Sequence, residues 1–143
     1  RVINYFQRRL PQLGKNVSIT VEGDKDTIAN LNSELFEWVI ENLIKNALDA
    51  IENKEGMIKF NLINHKKKIE IDVTDNGKGI EYKSRKDIFR PGYSTKRRGW
   101  GLGLSLSKRI IENYHSGKIF VKDSVINSGT TFKIVLPSTE KIA

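Results

Sequence analysis

A long stretch of helical periodicity places the strongest constraint on the fold of this chain. Between Ser33 and Ile51, apolar residues recur every three or four positions and form one broad stripe, and Asn32 or Ser33 is suited to be the N-cap. The stripe contains Leu35, Phe36, Val39, Ile40, Leu43, Ile44, Ala47, Leu48 and Ile51. A helix with such a wide apolar face needs a second layer of structure to cover it.

Short alternating segments on both sides of this helix predict that the second layer is a β-sheet. Residues 17–21 alternate, and residues 58–62 and 69–73 predict a hairpin with a polar connection at 64–67. A second helix is expected over 104–114, followed by a strand pair around 119–121 and 132–136 with Gly129 near its turn. The fold class is therefore α/β, a two-layer α/β sandwich with helices on one face of the sheet.

The composition excludes several classes of protein. The chain has 143 residues, which suits one domain, and it has no cysteine, which excludes disulfide scaffolds and thiolate zinc modules. No segment approaches the roughly 20 apolar residues of a membrane-spanning helix. Arg1 begins the chain and no signal-peptide pattern follows, so we expect a part of a longer protein.

The net charge of +8 comes from basic residues that gather in three places, at 8–9, 66–68 and 96–98. Residues 66–68 fall in the predicted hairpin connection without interleaved aromatic residues, which favours a solvated turn over a nucleic-acid surface. The third cluster directly precedes glycines, which favours a phosphate-bearing ligand.

Two polar segments could hold such a ligand. Asn42 and Asn46 are four residues apart on one face of the long helix, with Asp49 on the same side, and carboxamide oxygens suit Mg²⁺. Taken alone, the two asparagines could equally be solvated. Asp75 follows a predicted strand, and the glycines at 77 and 79 would let the backbone approach a flat ring, although a plain turn is the alternative.

A third segment, 99–103, places three glycines before the second helix, where unpaired backbone N–H groups favour an anion. Its spacing is similar to a dinucleotide-binding motif. However, no strand precedes it and no βαβ unit surrounds it, so that interpretation fails. Residues 75–103 contain seven Gly or Pro and are too long for an ordinary connection, which predicts a functional loop.

The order and spacing of the three segments resemble the ATP-binding domain of sensor histidine kinases. Their superfamily includes DNA gyrase, heat-shock chaperones and mismatch-repair ATPases. Residues 42–46 resemble the asparagine box, 75–79 the first glycine box and 99–103 the second, while 87–96 resemble the phenylalanine box leading into a lid. The resemblance implies a Bergerat ATP-binding fold with a mixed, mostly antiparallel sheet. It also implies that 15–143 form the ATP-binding domain and that 1–14 end a preceding dimerisation or linker region.

The resemblance also implies the cofactors ATP and Mg²⁺ and a role for each matching residue. Asn46 would coordinate Mg²⁺ with Asn42 close by, Asp75 would hold the adenine amine, and Lys96 would be the lid cation near the terminal phosphate; Asn42, Asn46 and Lys96 form the implied catalytic set. Phe89 would set the position of the lid, and Thr131 would join the adenine network. The implied nucleotide-binding set is Asn46, Asp75, Gly77, Gly79, Phe89, Lys96, Gly99, Gly101, Leu102, Gly103 and Thr131.

The implied function is donation of the γ-phosphate to a histidine on a separate dimerisation domain. ATPase branches of the superfamily carry Glu where this chain has Asn42, which favours phosphoryl transfer over hydrolysis. Asp49 stands where many of these kinases carry Lys. His65 and His115 lack the acceptor context and are expected to be ordinary surface or turn histidines.

Three alternatives remain open: a serine kinase of anti-sigma type, a non-catalytic nucleotide-binding module, and a basic nucleic-acid-binding domain. The partners implied by the resemblance are the protein's own phosphoacceptor domain and a response regulator, with no nucleic acid and no membrane contact by this domain. The full-length protein would be a homodimer. Its location would be cytoplasmic, or this chain would be the cytoplasmic part of a membrane-anchored sensor.

Overall fold

The computed structural model describes residues 7–8, 17–24, 31–51, 55–92 and 103–137. The strands are β1 (Val17–Gly23), β2 (Gly56–Asn64), β3 (Lys68–Asp75), β4 (Lys118–Val125) and β5 (Gly129–Pro137). The helices after β1 are α1 (Ser33–Ile51) and α2 (Gly103–Arg109), and residues 7–8 are helical as well. Short 3₁₀ turns at Tyr82–Ser84 and Asp87–Phe89 interrupt the segment between β3 and α2, and a π-helical turn, Ile110–Tyr114, continues α2.

The strands form one sheet in the order β1-β2-β3-β5-β4. β1 is parallel to β2, and every other neighbouring pair is antiparallel. The parallel pair is possible because the chain between β1 and β2 crosses over through α1. The predicted α/β sandwich with a mixed, mostly antiparallel sheet is confirmed, and so is the β2–β3 hairpin, which closes with a bond of 2.8 Å from His65 N–H to Lys68 C=O.

Helix α1 covers one face of the sheet with the stripe that the sequence predicts. It begins at an N-cap formed by Asn32, whose Oδ1 accepts the N–H of Leu35 at 3.0 Å. The residues of its buried side are Val39, Ile40, Leu43, Ile44, Ala47 and Ile51. They share a core with alternate residues of the sheet, namely Ile58, Phe60, Ile69, Ile71, Val73, Phe132, Ile134 and Leu136.

The opposite face of the sheet carries a chain of charged side chains. Lys133 Nζ lies 3.1 Å from Glu70 Oε2 and 3.5 Å from Asp72 Oδ1. Lys122 Nζ lies 3.1 Å from the other oxygen of Asp72. Because β3 and β5 alternate between the two faces, the same strands supply apolar residues to the core and ion pairs to this second face.

His115 differs from the sequence expectation. It does lie in a turn, but its exposed fraction is only 8%. Its Nε2 accepts the backbone N–H of Asn32 at 3.0 Å, and its Nδ1 lies 3.0 Å from the carbonyl oxygen of Ile110. A backbone N–H can only donate and a carbonyl can only accept, so this pairing assigns the ring proton to Nδ1. The side chain thus joins the start of α1 to the second helical segment.

In the described part of the chain, no helix is long and apolar enough to cross a membrane.

Candidate nucleotide-binding site

Asp75 is the last residue of β3 and lies on the face of the sheet that α1 covers. Its exposed fraction is 7%. Its Oδ1 accepts the N–H of Gly77 at 2.8 Å, so the turn after the strand fixes the carboxylate. The strand end predicted from the sequence is therefore where the structure places this group, and its contact with adenine stays a prediction.

The turn after Asp75 packs tightly between α1 and the β4–β5 turn, and both of its glycines are needed for that packing. A Cβ on Gly77 would lie 2.7 Å from Cβ of Ala50, and Lys78 N–H donates to the carbonyl of Ala50 at 2.9 Å. Gly79 has φ +78°, and a Cβ there would lie 2.4 Å from the carbonyl oxygen of Val125. The two glycines thus shape the surroundings of Asp75 by letting the loop lie against its neighbours.

Of the two neighbouring threonines of β5, Thr130 shares a face with Asp75, and Thr131 is the one that the family resemblance assigns to the adenine network. In the β3–β5 register Asp75 pairs with Thr130, and Thr74 pairs with Thr131. Val73 and Phe132 face the core, so the residues two positions away, Asp75 and Thr130, face it as well.

Thr131 points to the opposite face, where its Oγ1 lies 2.9 Å from Oγ1 of Thr74. Thr130 is therefore the residue opposite Asp75, and the place of Thr131 in the adenine network stays a prediction. The alternation of Phe132, Ile134 and Leu136 was the sequence signal that could have set this phase.

Asn42 contacts the first turn of α2 rather than open solvent. Its Nδ2 donates to Ser107 Oγ at 3.1 Å, and Ser107 Oγ donates to the carbonyl of Gly103 at 2.8 Å. Ser107 is fully buried, and its role was not predicted. A Cβ on Gly103 would lie 2.5 Å from Asn42 Oδ1, so the missing side chain leaves room for the amide.

These contacts orient the Asn42 amide with its nitrogen toward Ser107, which leaves Oδ1 as its acceptor atom. Asn46 lies one turn further along α1 and is half-buried. No group of three or more His, Cys, Asp or Glu that could hold a metal occurs in the described ranges. The donor set nevertheless fits Mg²⁺, which accepts neutral oxygen ligands and completes its shell with water and phosphate oxygens.

Phe89 is a core residue at the end of the second 3₁₀ turn. Its ring packs edge-on against Phe132, with centroids 6.2 Å apart and an interplanar angle of 89°. Lys108 Nζ lies 5.7 Å from the Phe89 ring centroid. Phe89 thus joins this turn to both the sheet and α2, and its effect on a lid and its place in the nucleotide-binding set stay predictions.

Four predicted residues, Lys96, Gly99, Gly101 and Leu102, lie outside the described residues. Gly103 is the first residue of α2, at the point where the described chain resumes.

The model of the histidine kinase-, DNA gyrase B- and HSP90-like ATPase family matches residues 31–140. This chain belongs to that family. Among its curated relatives, Sporulation kinase B of Bacillus subtilis (strain 168) is 32% identical over 124 residues, covering 87% of this chain and 28% of that protein. Signal transduction histidine-protein kinase AtoS of Escherichia coli (strain K12) is 40% identical over 109 residues, covering 76% of this chain and 17% of that protein.

Solved structures of the family are similar over almost the whole chain. A nucleotide-free catalytic domain of histidine kinase ThkA has a TM-score of 0.82 and 28% identity, covering 96% of this chain and 88% of that chain. ThkA in complex with response regulator protein TrrA has a TM-score of 0.79 and 27% identity, covering 96% of this chain and 38% of that chain. The chain thus spans most of a kinase catalytic domain and 28% or less of the two curated kinases named above.

Proposed function

We propose that this chain binds ATP with Mg²⁺ and presents the γ-phosphate to a histidine on a separate domain of a sensor kinase. The observation that carries the proposal is the position of Asp75 at the end of β3, in a family member whose similar structures are named histidine kinase catalytic domains. An anionic acceptor fixed at a strand end suits an exocyclic amine such as that of adenine.

The proposed roles differ between the adenine end and the phosphate end of the site. Asp75 orients the base, and the amide oxygens of Asn42 and Asn46 face the phosphate end. Mg²⁺ bound there would neutralise charge on the phosphates. Lys96 supplies a further cation by family resemblance. Catalysis in such a site consists mainly of positioning and electrostatic stabilisation.

In the proposed transfer, an imidazole nitrogen of the acceptor histidine forms a bond to the γ-phosphorus while the bond to the bridging oxygen breaks, and ADP leaves. The acceptor comes from outside this chain. Neither histidine here fits the role, because His115 is buried between two helical segments and His65 pairs with Glu70 in the hairpin connection.

The remaining proposals concern the whole protein. Residues 1–14 would end a preceding dimerisation or linker region, the full-length protein would be a homodimer in the cytoplasm or anchored at its cytoplasmic side, and a response regulator would be the downstream partner. The similarity to ThkA, which was solved in complex with a response regulator, supports that kind of partner.

Phosphorylation with radiolabelled ATP tests the proposal. The chain is mixed with the dimerisation domain of its own full-length protein, and the labelled product is then treated with acid or alkali. Label that is lost in acid and retained in alkali indicates phosphohistidine. Label that survives acid would favour the serine-kinase alternative, and ATP binding without any transfer would favour a non-catalytic nucleotide-binding module.

A further inference from the structure

The hydroxyl of Ser124, near the end of β4, joins three segments around the candidate adenine end of the site. Its Oγ accepts the backbone N–H of Ile80 at 2.7 Å. It lies 3.2 Å from the carbonyl oxygen of Gly129, to which it donates, and 2.9 Å from Thr130 Oγ1. These contacts connect the turn after Asp75 with both strands of the β4–β5 hairpin.

The three contacts can be satisfied together in only one way. A serine hydroxyl has one proton to donate and two lone pairs that accept. Ile80 N–H can only donate and the Gly129 carbonyl can only accept, so Ser124 gives its proton to Gly129. The bond between the two hydroxyls must then be donated by Thr130, whose proton is directed toward Ser124.

This assignment leaves Thr130 Oγ1 with acceptor capacity only. Thr130 stands directly opposite Asp75 in the β3–β5 register, and residues in that relation have neighbouring side chains on the same face. Both residues are buried, with exposed fractions of 5% for Thr130 and 7% for Asp75. An ionised carboxylate also only accepts, so the pair offers two acceptors and no donor at one place.

We propose that Ser124 is a specificity-determining residue that makes this site select 6-amino purines over 6-oxo purines. The inference rests on the proposed function, because it concerns the base of the bound nucleotide. An amine at C6 donates to acceptors, whereas a carbonyl at C6 needs a donor that the Asp75–Thr130 pair lacks. Ser124 acts through Thr130 and so is a positioning residue.

Removing the Ser124 hydroxyl frees the Thr130 proton. In Ser124→Ala, Asp75 can accept the N1–H of a 6-oxo purine while Thr130 donates to the oxygen at C6. Calorimetric titration of the chain with ADP and with IDP measures this change, since these two nucleotides differ only at positions 1 and 6 of the base. We expect the IDP-to-ADP ratio of dissociation constants to fall about tenfold in Ser124→Ala.

Four further comparisons separate this role from a structural one. Ser124→Thr keeps the hydroxyl and should keep the wild-type ratio, whereas Ser124→Cys, whose thiol is a weak acceptor, should shift it as Ala does. In a Thr130→Val background, Ser124→Ala should leave the ratio unchanged. Thr74→Val breaks a hydroxyl pair of the same 2.9 Å length on the opposite face of the sheet and should not alter the ratio.

The outcomes are distinguishable. Suppose that ADP binds the wild-type chain and that Ser124→Ala has the wild-type IDP-to-ADP ratio. This inference is then overturned and the proposed function stands. Ser124→Cys replaces Ser124→Ala in this comparison if the alanine variant does not fold. If the wild-type chain binds neither nucleotide, the proposed function fails and this inference fails with it.

Discussion

The carboxylate of Asp75 receives its orientation from the turn that follows it, because Oδ1 accepts the N–H of Gly77 at 2.8 Å. An asparagine can keep that bond through its own Oδ1 but loses the negative charge. We therefore expect Asp75→Asn to keep its melting temperature near that of wild type. Its ADP affinity should fall about 10- to 100-fold, which corresponds to the ~1.5 to 3 kcal/mol of a hydrogen bond to a charged group.

Asp72→Asn is the matched control, since it makes the same change on the same strand but on the opposite face. Asp72 lies between Lys122 and Lys133, so this variant should lose stability and retain ADP affinity. An Asp75→Asn chain that binds ADP normally in calorimetry, or that unfolds, would show that Asp75 is structural.

His115 should contribute to stability through the two bonds of its ring. His115→Phe keeps an aromatic ring beside Phe36 and leaves the backbone N–H of Asn32 without its acceptor. We expect the free energy of unfolding to fall by about 1 to 3 kcal/mol, the combined contribution of the two lost hydrogen bonds. Urea denaturation measures the change.

His65→Gln provides the comparison for that measurement. The His65 side chain is 46% exposed, and substitution there should change stability by no more than about 0.5 kcal/mol. Equal stability of His115→Phe and wild type would contradict the structural role of His115.

At the scale of single residues, the sequence predicted the strand-end carboxylate and the two glycines beside it, but not Thr130, Ser107 or the contacts of His115. Asp75 could be predicted because a polar motif directly follows an alternating segment. Thr130 was not predicted, although the alternation of Phe132, Ile134 and Leu136 indicates that it lies on the core face of β5. Ser107 and His115 could not be found, since their partners are 65 and 83 residues away in the chain.

At the scale of elements, the contact between α1 and α2 depends on Gly103. Gly103 is the first residue of α2, so the advantage of alanine over glycine inside a helix hardly applies to Gly103→Ala. The new Cβ would lie 2.5 Å from Asn42 Oδ1, and the amide can relieve the contact by turning away from Ser107. We therefore expect a loss of stability of about 1 kcal/mol, from the lost Asn42–Ser107 hydrogen bond, and a loss of Mg²⁺-dependent ATP affinity.

Calorimetry with Mg²⁺ and with chelator measures that loss as the difference between two ATP affinities. Leu106→Ala, on the same helix and with a side chain that is partly exposed, should keep the difference. A Gly103→Ala chain with the wild-type Mg²⁺ effect would contradict the proposed role of the Asn42 amide.

The bounds of the elements were more predictable than their arrangement. The apolar stripe predicted α1 with the observed ends, and alternation predicted both hairpins. Alternation indicates which face of the sheet a residue occupies, but it does not indicate the order of the strands. The position of β5 between β3 and β4 could therefore not be predicted from the local sequence. The 3₁₀ turns were also missed, because Ile88 and Phe89 are too few apolar residues to make a period.

At the scale of the whole molecule, the two faces of the sheet carry different sets of side chains. One face carries the core and the candidate nucleotide residues, and the other carries the ion pairs around Lys133. The hydrogen bond from Lys133 lowers the pKa of Glu70 to about 2, from 4.5. Burial would lower the pKa of Lys133, but its hydrogen bond to Glu70 and the charge of Asp72 outweigh it and raise that pKa.

These shifts predict how stability depends on pH. As pH falls below 4.5, Glu70 takes up a proton in the unfolded chain while the folded chain keeps it ionised until about pH 2. The unfolded state then binds more protons, so the stability that Glu70 contributes is complete above pH 4.5 and is lost as pH falls toward 2. Lys133 has a raised pKa, so its contribution is lost only as pH rises above 10.5.

Urea denaturation between about pH 2.5 and pH 7 measures the loss of stability in acid for wild type and for Glu70→Gln. The variant removes the titrating group and keeps the shape of the side chain. The variant should be less stable than wild type at pH 7, and the two should converge toward pH 2.5 as Glu70 loses its advantage. ADP affinity at pH 7 should be equal in both, because Glu70 lies on the face opposite Asp75. Parallel pH curves for the two chains would show that the ion pair contributes no net stability, and a loss of ADP affinity would show that the two faces of the sheet are coupled.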